Sequence, residues 1–155
     1  MKIKACIFDM DGTLVNSIMD IAFSMNSALS NLGYSKIELS KFNALVGRGF
    51  NKFVIDTLKL LSLEHNNPNL QEKLYKEFVK EYNKNLSFQT KPYENIKPLL
   101  ETMNKLNIPI GILSNKNHEE LINLVKIFLE IYCFLKSGVI QKIFHQSQIL
   151  KMPLI

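Results

Sequence analysis

IKACIFDMDGTLV, residues Ile3 to Val15, is the stretch on which the reading of this chain turns. Five of its first six residues (Ile3, Ala5, Cys6, Ile7, Phe8) are apolar. The run is too short for a helix and too continuous for a half-exposed strand, which predicts a buried parallel strand. Asp9 and Asp11 follow directly, and a two-residue period turns both toward one spot if the extended geometry persists past the strand. Gly12 permits a sharp turn after them. Two carboxylates aimed at one point repel each other. A small hard cation such as Mg2+ relieves that repulsion and also neutralises a phosphate. Phosphoryl chemistry follows: one aspartate attacks phosphorus to give an aspartyl-phosphate, and the other protonates the leaving oxygen and then activates water. The same residues also fit a solvated loop in which Thr13 caps the next turn. The full D-x-D-G-T pattern after a strand favours the site.

A strand ending in DxDGT resembles the first motif of the haloacid dehalogenase superfamily. The resemblance implies Asp9 as nucleophile and Asp11 as general acid/base. It implies Mg2+ as cofactor, with Asp9 and Asp11 as its ligands, the latter through its main-chain carbonyl. Thr13, in the same motif, counts among the substrate-binding positions. The dehalogenases themselves lack the second aspartate, so Asp11 argues against carbon–halogen chemistry. The resemblance covers roughly residues 3 to 125.

The chain's 155 residues suffice for one domain with a modest core, and 46% hydrophobic with 21% charged content is ordinary for a soluble protein. Cys6 and Cys133 are too widely spaced for a metal pattern or a disulfide framework, which fits a reducing cytoplasm. Asp9 and Asp11 interrupt the N-terminal apolar run, so it does not read as a signal peptide, and no segment reaches membrane-spanning length without charge. The net charge of +5 suits an anionic substrate, but its lysines are scattered and form no nucleic-acid-binding stripe. Neither a nucleic acid nor a membrane is expected as partner.

Asn16 or Ser17 can cap a helix whose apolar positions Ile18, Ile21, Ala22, Met25, Leu29 and Leu32 recur at three and four, ending at Gly33. Ser35 and Glu38 have capping-box spacing for a short helix through Leu45. Phe50 to Leu61 is helical in pattern, and Asn67-Pro68 opens a charged helix with the stripe Leu70, Leu74, Phe78, Tyr82. Residues 16–88 are therefore expected to be all-α, inserted between the two parts of an α/β core, 1–15 and 89–155. In the resembling superfamily such an insertion is a helical cap that closes over the active site. Within it, LVGRGF (Leu45 to Phe50) places Arg48, the only arginine, between two glycines. The loop resembles the cap loop of phosphoglycolate phosphatases and β-phosphoglucomutases, which implies that Arg48 holds the non-reacting end of the substrate. It equally fits a helix–helix turn with a solvated arginine.

A helix over Asn95 to Leu106 precedes the apolar run Ile108 to Leu113, which ends in Ser114-Asn115-Lys116. Polar residues at the carboxyl end of a second buried strand lie where open α/β sheets bind ligands. Ser114 and Asn115 can hydrogen-bond a phosphoryl oxygen there, although Ser-Asn after a strand is also an ordinary helix N-cap. LSNK resembles the superfamily's second motif, with Ser114 as phosphate ligand.

Leu121 to Leu135 begins as a nearly buried helix, and beyond about Glu130 the resemblance fades. Lys151-Met152-Pro153 only loosely echoes the superfamily's Lys-Pro motif. The acidic metal motif is absent, since no Asp follows Asp56 and no acidic residue follows Glu130. The expected fold is α/β: a Rossmann-like parallel sheet, incomplete at the C-terminus, with an inserted helical-bundle cap. In the superfamily's strand order 3-2-1-4-5, losing the fourth strand leaves the Asp9 strand as an exposed apolar edge open to self-association. The tail fits a truncated or frameshifted sequence. The expected function is a Mg2+-dependent phosphatase of a small phosphorylated metabolite resembling phosphoglycolate, weakened by the missing motif. The alternatives are a sugar-phosphate mutase or a non-catalytic interaction fragment.

Overall fold

The computed structural model describes residues 3–85, 88–116, 121–122, 124–125, 127 and 140–145. The chain divides into two compact units, Met1–Asn16 with Lys91–Ile155, and Ser17–Thr90.

The first unit is built on a parallel sheet. Strand β1, Cys6–Phe8, leads into a short strand β2, Val15–Asn16. β3 (Lys91–Pro92), helix α5 (Ile96–Lys105), β4 (Ile110–Ser114) and β5 (Ile140–His145) come from the second segment. The strand order is β1-β4-β5, parallel throughout, and Cys6, Ile7 and Phe8 stand opposite Ile110, Gly111 and Ile112. β2 and β3 pair antiparallel, Val15 with Pro92 and Asn16 with Lys91. The parallel direction is as the sequence predicts, and the burial of β1 is not. β1 spans only three residues, and Ile7 is 62% exposed. β1 closes one end of the sheet, so among the described strands only β4 covers it. The apolar alternation that hides a strand instead falls to β4, where Ile110 and Ile112 are buried.

Strand β5 lies in a tail from which no element is read. Its sequence Ile-Gln-Lys-Ile-Phe-His neither alternates nor runs apolar, so period-based reading passes over it. Of the apolar run expected as a helix from Leu121, residues 121, 122, 124, 125 and 127 are helical, and Leu121, Leu124 and Val125 are buried. Cys133 and Lys151-Met152-Pro153 lie outside the described residues.

The second unit is all helical: α1 (Ile18–Asn31), α2 (Phe42–Leu45), α3 (Phe50–Leu60) and α4 (Pro68–Lys84). Ile21, Ala22, Met25, Ala28 and Leu29 give α1 a largely apolar buried face, in which Ser24 is also buried. Leu74, Phe78 and Tyr82 do the same for α4, and Phe78 stacks on Tyr82 and meets Phe53 of α3 edge-on. The Asn67 side chain accepts from the N–H groups of Asn69 and Leu70, the cap that Asn-Pro predicts. The expected capping box does not form. Asn26 of α1 clamps Ile37 instead, accepting from its N–H at 2.8 Å and donating to its carbonyl at 2.9 Å. That holds residue 37 out of a helix, and a single 3-10 turn, Leu39–Lys41, precedes α2. Ser40, not Ser35, is the serine that hydrogen-bonds Glu38.

The helical unit is closed by a buried carboxylate. Asp20, in the first turn of α1, is fully buried and accepts from Gln89 N–H at 2.8 Å, Thr90 N–H at 2.9 Å and Thr90 Oγ1 at 2.6 Å.

Candidate active site

The carboxyl end of β1 runs straight into a tight loop organised around Met10. The Met10 carbonyl accepts from the N–H groups of Leu14 at 3.0 Å and Val15 at 3.1 Å, and Gly12 N–H donates to Val15 carbonyl at 2.9 Å. Gly12 makes the loop possible with φ at +79°, a region that side chains avoid. Met10 is wholly buried, and its neighbours on either side, Asp9 and Asp11, retain solvent access. The alternation of a strand thus continues past its end, with the apolar side chain turned inward between two carboxylates.

The Asp9 carboxylate accepts from Met10 N–H at 2.7 Å. Its pKa is raised above the ordinary aspartate value, chiefly by partial desolvation. The Met10 N–H opposes the rise, the charge of Asp11 adds to it, and Lys116 opposes it. The mutual influence of the two aspartates and the lysine places these groups in one electrostatic neighbourhood.

Strand β4 supplies that lysine. With Phe8 at the end of β1 opposite Ile112, β4 runs on to Ser114 alongside the start of the Asp9–Asp11 loop, and Asn115 and Lys116 follow. Ser114 is buried, and its Oγ accepts from Lys116 N–H at 3.2 Å, leaving the hydroxyl hydrogen to be donated elsewhere. The Lys116 ammonium lies 3.0 Å from Asp11 Oδ2. Sequence reasoning quotes Lys116 without giving it a task. The available signal was a lysine two residues after a serine that ends a buried strand.

Within the first unit Ser114 and Asn115 stand at the end of the strand paired with β1, which leads into Asp9 and Asp11, and Thr13 is exposed in the turn after Gly12. Arg48 belongs to the other unit. It sits in the α2–α3 connection, where Gly47 and Gly49 have φ of +106° and +82°. Its guanidinium is 59% exposed, and Nη2 meets Asp56 Oδ2 at 3.0 Å and Ala44 carbonyl at 3.3 Å. Lys52 shares the same carboxylate at 3.2 Å.

Among the described residues no group of three or more His, Cys, Asp or Glu side chains converges as a metal cage. The donors present are two carboxylates and the Asp11 main-chain carbonyl. All are hard oxygens of the kind Mg2+ takes, and Mg2+ commonly completes its shell with water and substrate oxygens. The donor set fits such an ion in kind, and it is sparse.

A parallel α/β sheet thus carries a carboxylate pair after β1 and a serine and a lysine at the end of β4. The haloacid dehalogenase-like hydrolase family matches residues 6–146, and the chain belongs to it. The match runs beyond the expected limit near residue 125, because it takes in β5. Over 115 residues the chain is 31% identical to a phosphoglycolate phosphatase of Neisseria meningitidis, covering 74% of this chain and 49% of that protein. Over 116 residues it is 28% identical to a phosphoglycolate phosphatase of Aquifex aeolicus, covering 75% and 51% respectively. Among solved structures, a predicted phosphoglycolate phosphatase from Haemophilus somnus superposes with a TM-score of 0.78 at 24% identity, over all of this chain and 66% of that one. CbbY from Rhodobacter sphaeroides, solved in complex with phosphate, gives 0.74 at 13% identity, over 94% and 64%. These two likenesses concern the fold. The chain spans about half the length of the curated relatives it matches. No helix among the described residues is long and apolar enough to cross a membrane.

Proposed function

We propose that this chain carries the catalytic half of a Mg2+-dependent phosphatase acting on a small phosphorylated metabolite of the phosphoglycolate kind. The observation that carries the reading is the Asp9–Met10–Asp11 loop, with its buried central residue, set beside Ser114 and Lys116 at one end of a parallel sheet. Asp9 attacks phosphorus and Asp11 handles the proton of the leaving oxygen, as general acid and then as base. Ser114 donates its hydroxyl to a phosphoryl oxygen, and Asn115 and Thr13 offer further donors. Mg2+, held by the Asp9 side chain and the Asp11 carbonyl, supplies charge neutralisation at the phosphate. Arg48 grips the non-reacting end of the substrate. In this reading residues 16–88 are a cap, residues 1–15 and 89–155 the core, and the setting is cytoplasmic.

The test is phosphate release from a panel of small phosphate esters, phosphoglycolate and sugar phosphates among them, with and without Mg2+, beside an Asp9→Asn control. Mg2+-dependent turnover lost in the control supports the reading. Isomerisation of a sugar phosphate without net phosphate release would replace it with a mutase. No turnover from folded protein would overturn it.

The exposed side of β1 favours a second reading, a non-catalytic fragment that pairs through this edge with another copy. Gel filtration distinguishes the two, since a monomer with Mg2+-dependent activity excludes the fragment.

A further inference from the structure

Lys116 is 1% exposed, and a lysine is almost never so buried unless paired. It bridges two strand ends. Its backbone N–H donates to Ser114 Oγ at the end of β4, and its ammonium lies 3.0 Å from Asp11 in the loop after β1. The loop it reaches carries two negative charges within three residues, Asp9 to Asp11. Like charges so close favour loosening of the segment that holds them. A buried cation on the adjoining strand removes that tendency without any ion from solution.

We propose that Lys116 is the built-in counter-cation of the Asp9–Asp11 pair, a positioning residue that keeps the loop assembled in the absence of metal. A divalent ion then adds to a site already formed and binds against the repulsion of a fixed ammonium. The superfamily resemblance looks for its lysine in a Lys-Pro motif, whose echo here is Lys151. The ion pair places a compensating charge at the end of β4. This rests on burial and contact geometry, so it stands or falls separately from the phosphatase reading.

The experiment is thermal unfolding of the full chain in EDTA and in millimolar Mg2+, with Asp11→Asn, Lys116→Met, Lys116→Arg and the double variant Asp11→Asn/Lys116→Met. Asp11→Asn strips the buried ammonium of a carboxylate and is expected to lower Tm by about 6–20 °C in EDTA, as breaking a buried pair does in a chain of this size. The double variant should melt higher than Asp11→Asn, because it removes the stranded charge as well. Lys116→Met should melt lower than the parent in EDTA and recover part of the loss in Mg2+, which the parent needs far less. Losses that simply add in the double variant, or an equal Mg2+ shift in parent and Lys116→Met, would overturn the proposal. If Lys116→Met does not fold, the remaining variants decide. A parent-like Lys116→Arg with a destabilised Asp11→Asn supports the proposal, and an Asp11→Asn that melts with the parent refutes it.

Discussion

Replacing Asp20 by alanine tests the contact that closes the helical unit. The carboxylate is fully buried and takes three donors, Gln89 N–H, Thr90 N–H and Thr90 Oγ1, at 2.6 to 2.9 Å. Gln89 is exposed, so water can replace its bond, whereas Thr90 is buried and both its donors would be stranded. Each stranded buried donor costs about 1–3 kcal/mol, and hydrogen bonds to a charged group stand at the upper end of the range. Release from the cost of burying a carboxylate offsets part of this. The balance is a loss of about 3–5 kcal/mol, or about 6–20 °C in Tm for a chain of this size. Urea and thermal unfolding followed by circular dichroism measure it. Thr90→Val completes a double-mutant cycle: it should be costly in the parent and nearly free once Asp20 is gone. If Thr90→Val costs the same in both backgrounds, or Asp20→Ala costs under about 1 kcal/mol, the assigned role of the carboxylate is wrong.

Asp9→Asn should abolish phosphate release without lowering stability. The folded state holds the Asp9 proton more tightly than the unfolded chain, so this group's contribution falls as pH rises above the usual aspartate value. The variant should melt with the parent near pH 3 and at or above it near pH 7, and a lower Tm at neutral pH would contradict the raised pKa. On the proposed role of Arg48 at the non-reacting end of the substrate, Arg48→Ala should raise KM by about tenfold or more with a smaller change in kcat, since such a group contributes uniform binding. Its exposed ion pair with Asp56 predicts a stability change of no more than about 1 kcal/mol. Asn26→Ala should cost about 1–3 kcal/mol in urea unfolding by freeing both backbone groups of Ile37, and an unchanged midpoint would remove the clamp from the account.

The helices of the second unit were legible because each carries its own period and punctuation. The α1 and α4 stripes are repeated at three and four, Asn67-Pro68 marks a start, and Gly33 takes the positive φ that ends a turn. The misplaced start of α2 shows what local rules omit. Ser35 and Glu38 satisfy the spacing of a capping box, but Asn26, eleven residues before Ile37, captures the backbone that the box would have needed. The site divides in the same way. Asp9 and Asp11 flank a single residue in the sequence, and a fixed pattern announces them. Lys116 acquires meaning only once β4 is laid parallel to β1, because its partner is more than a hundred residues away. β5 was missed for want of any period in its side chains.

The exposed flank of β1 and the sparse metal site have one origin. From the β4 side the buried Lys116 ammonium reaches Asp11. Ile7 stands in solvent, and Asp9 stays accessible. A hard cation needs several more oxygens than two aspartates provide. Among the described residues the β4 side offers an ammonium rather than an oxygen, and water, substrate phosphate or another chain can bring the oxygens a cation needs. The gel-filtration and Mg2+ experiments therefore interrogate the same flank. Pairing of β1 with a second copy would occupy its free edge, and only a partner that also brings oxygens to the carboxyl end of β1 would strengthen the response to Mg2+.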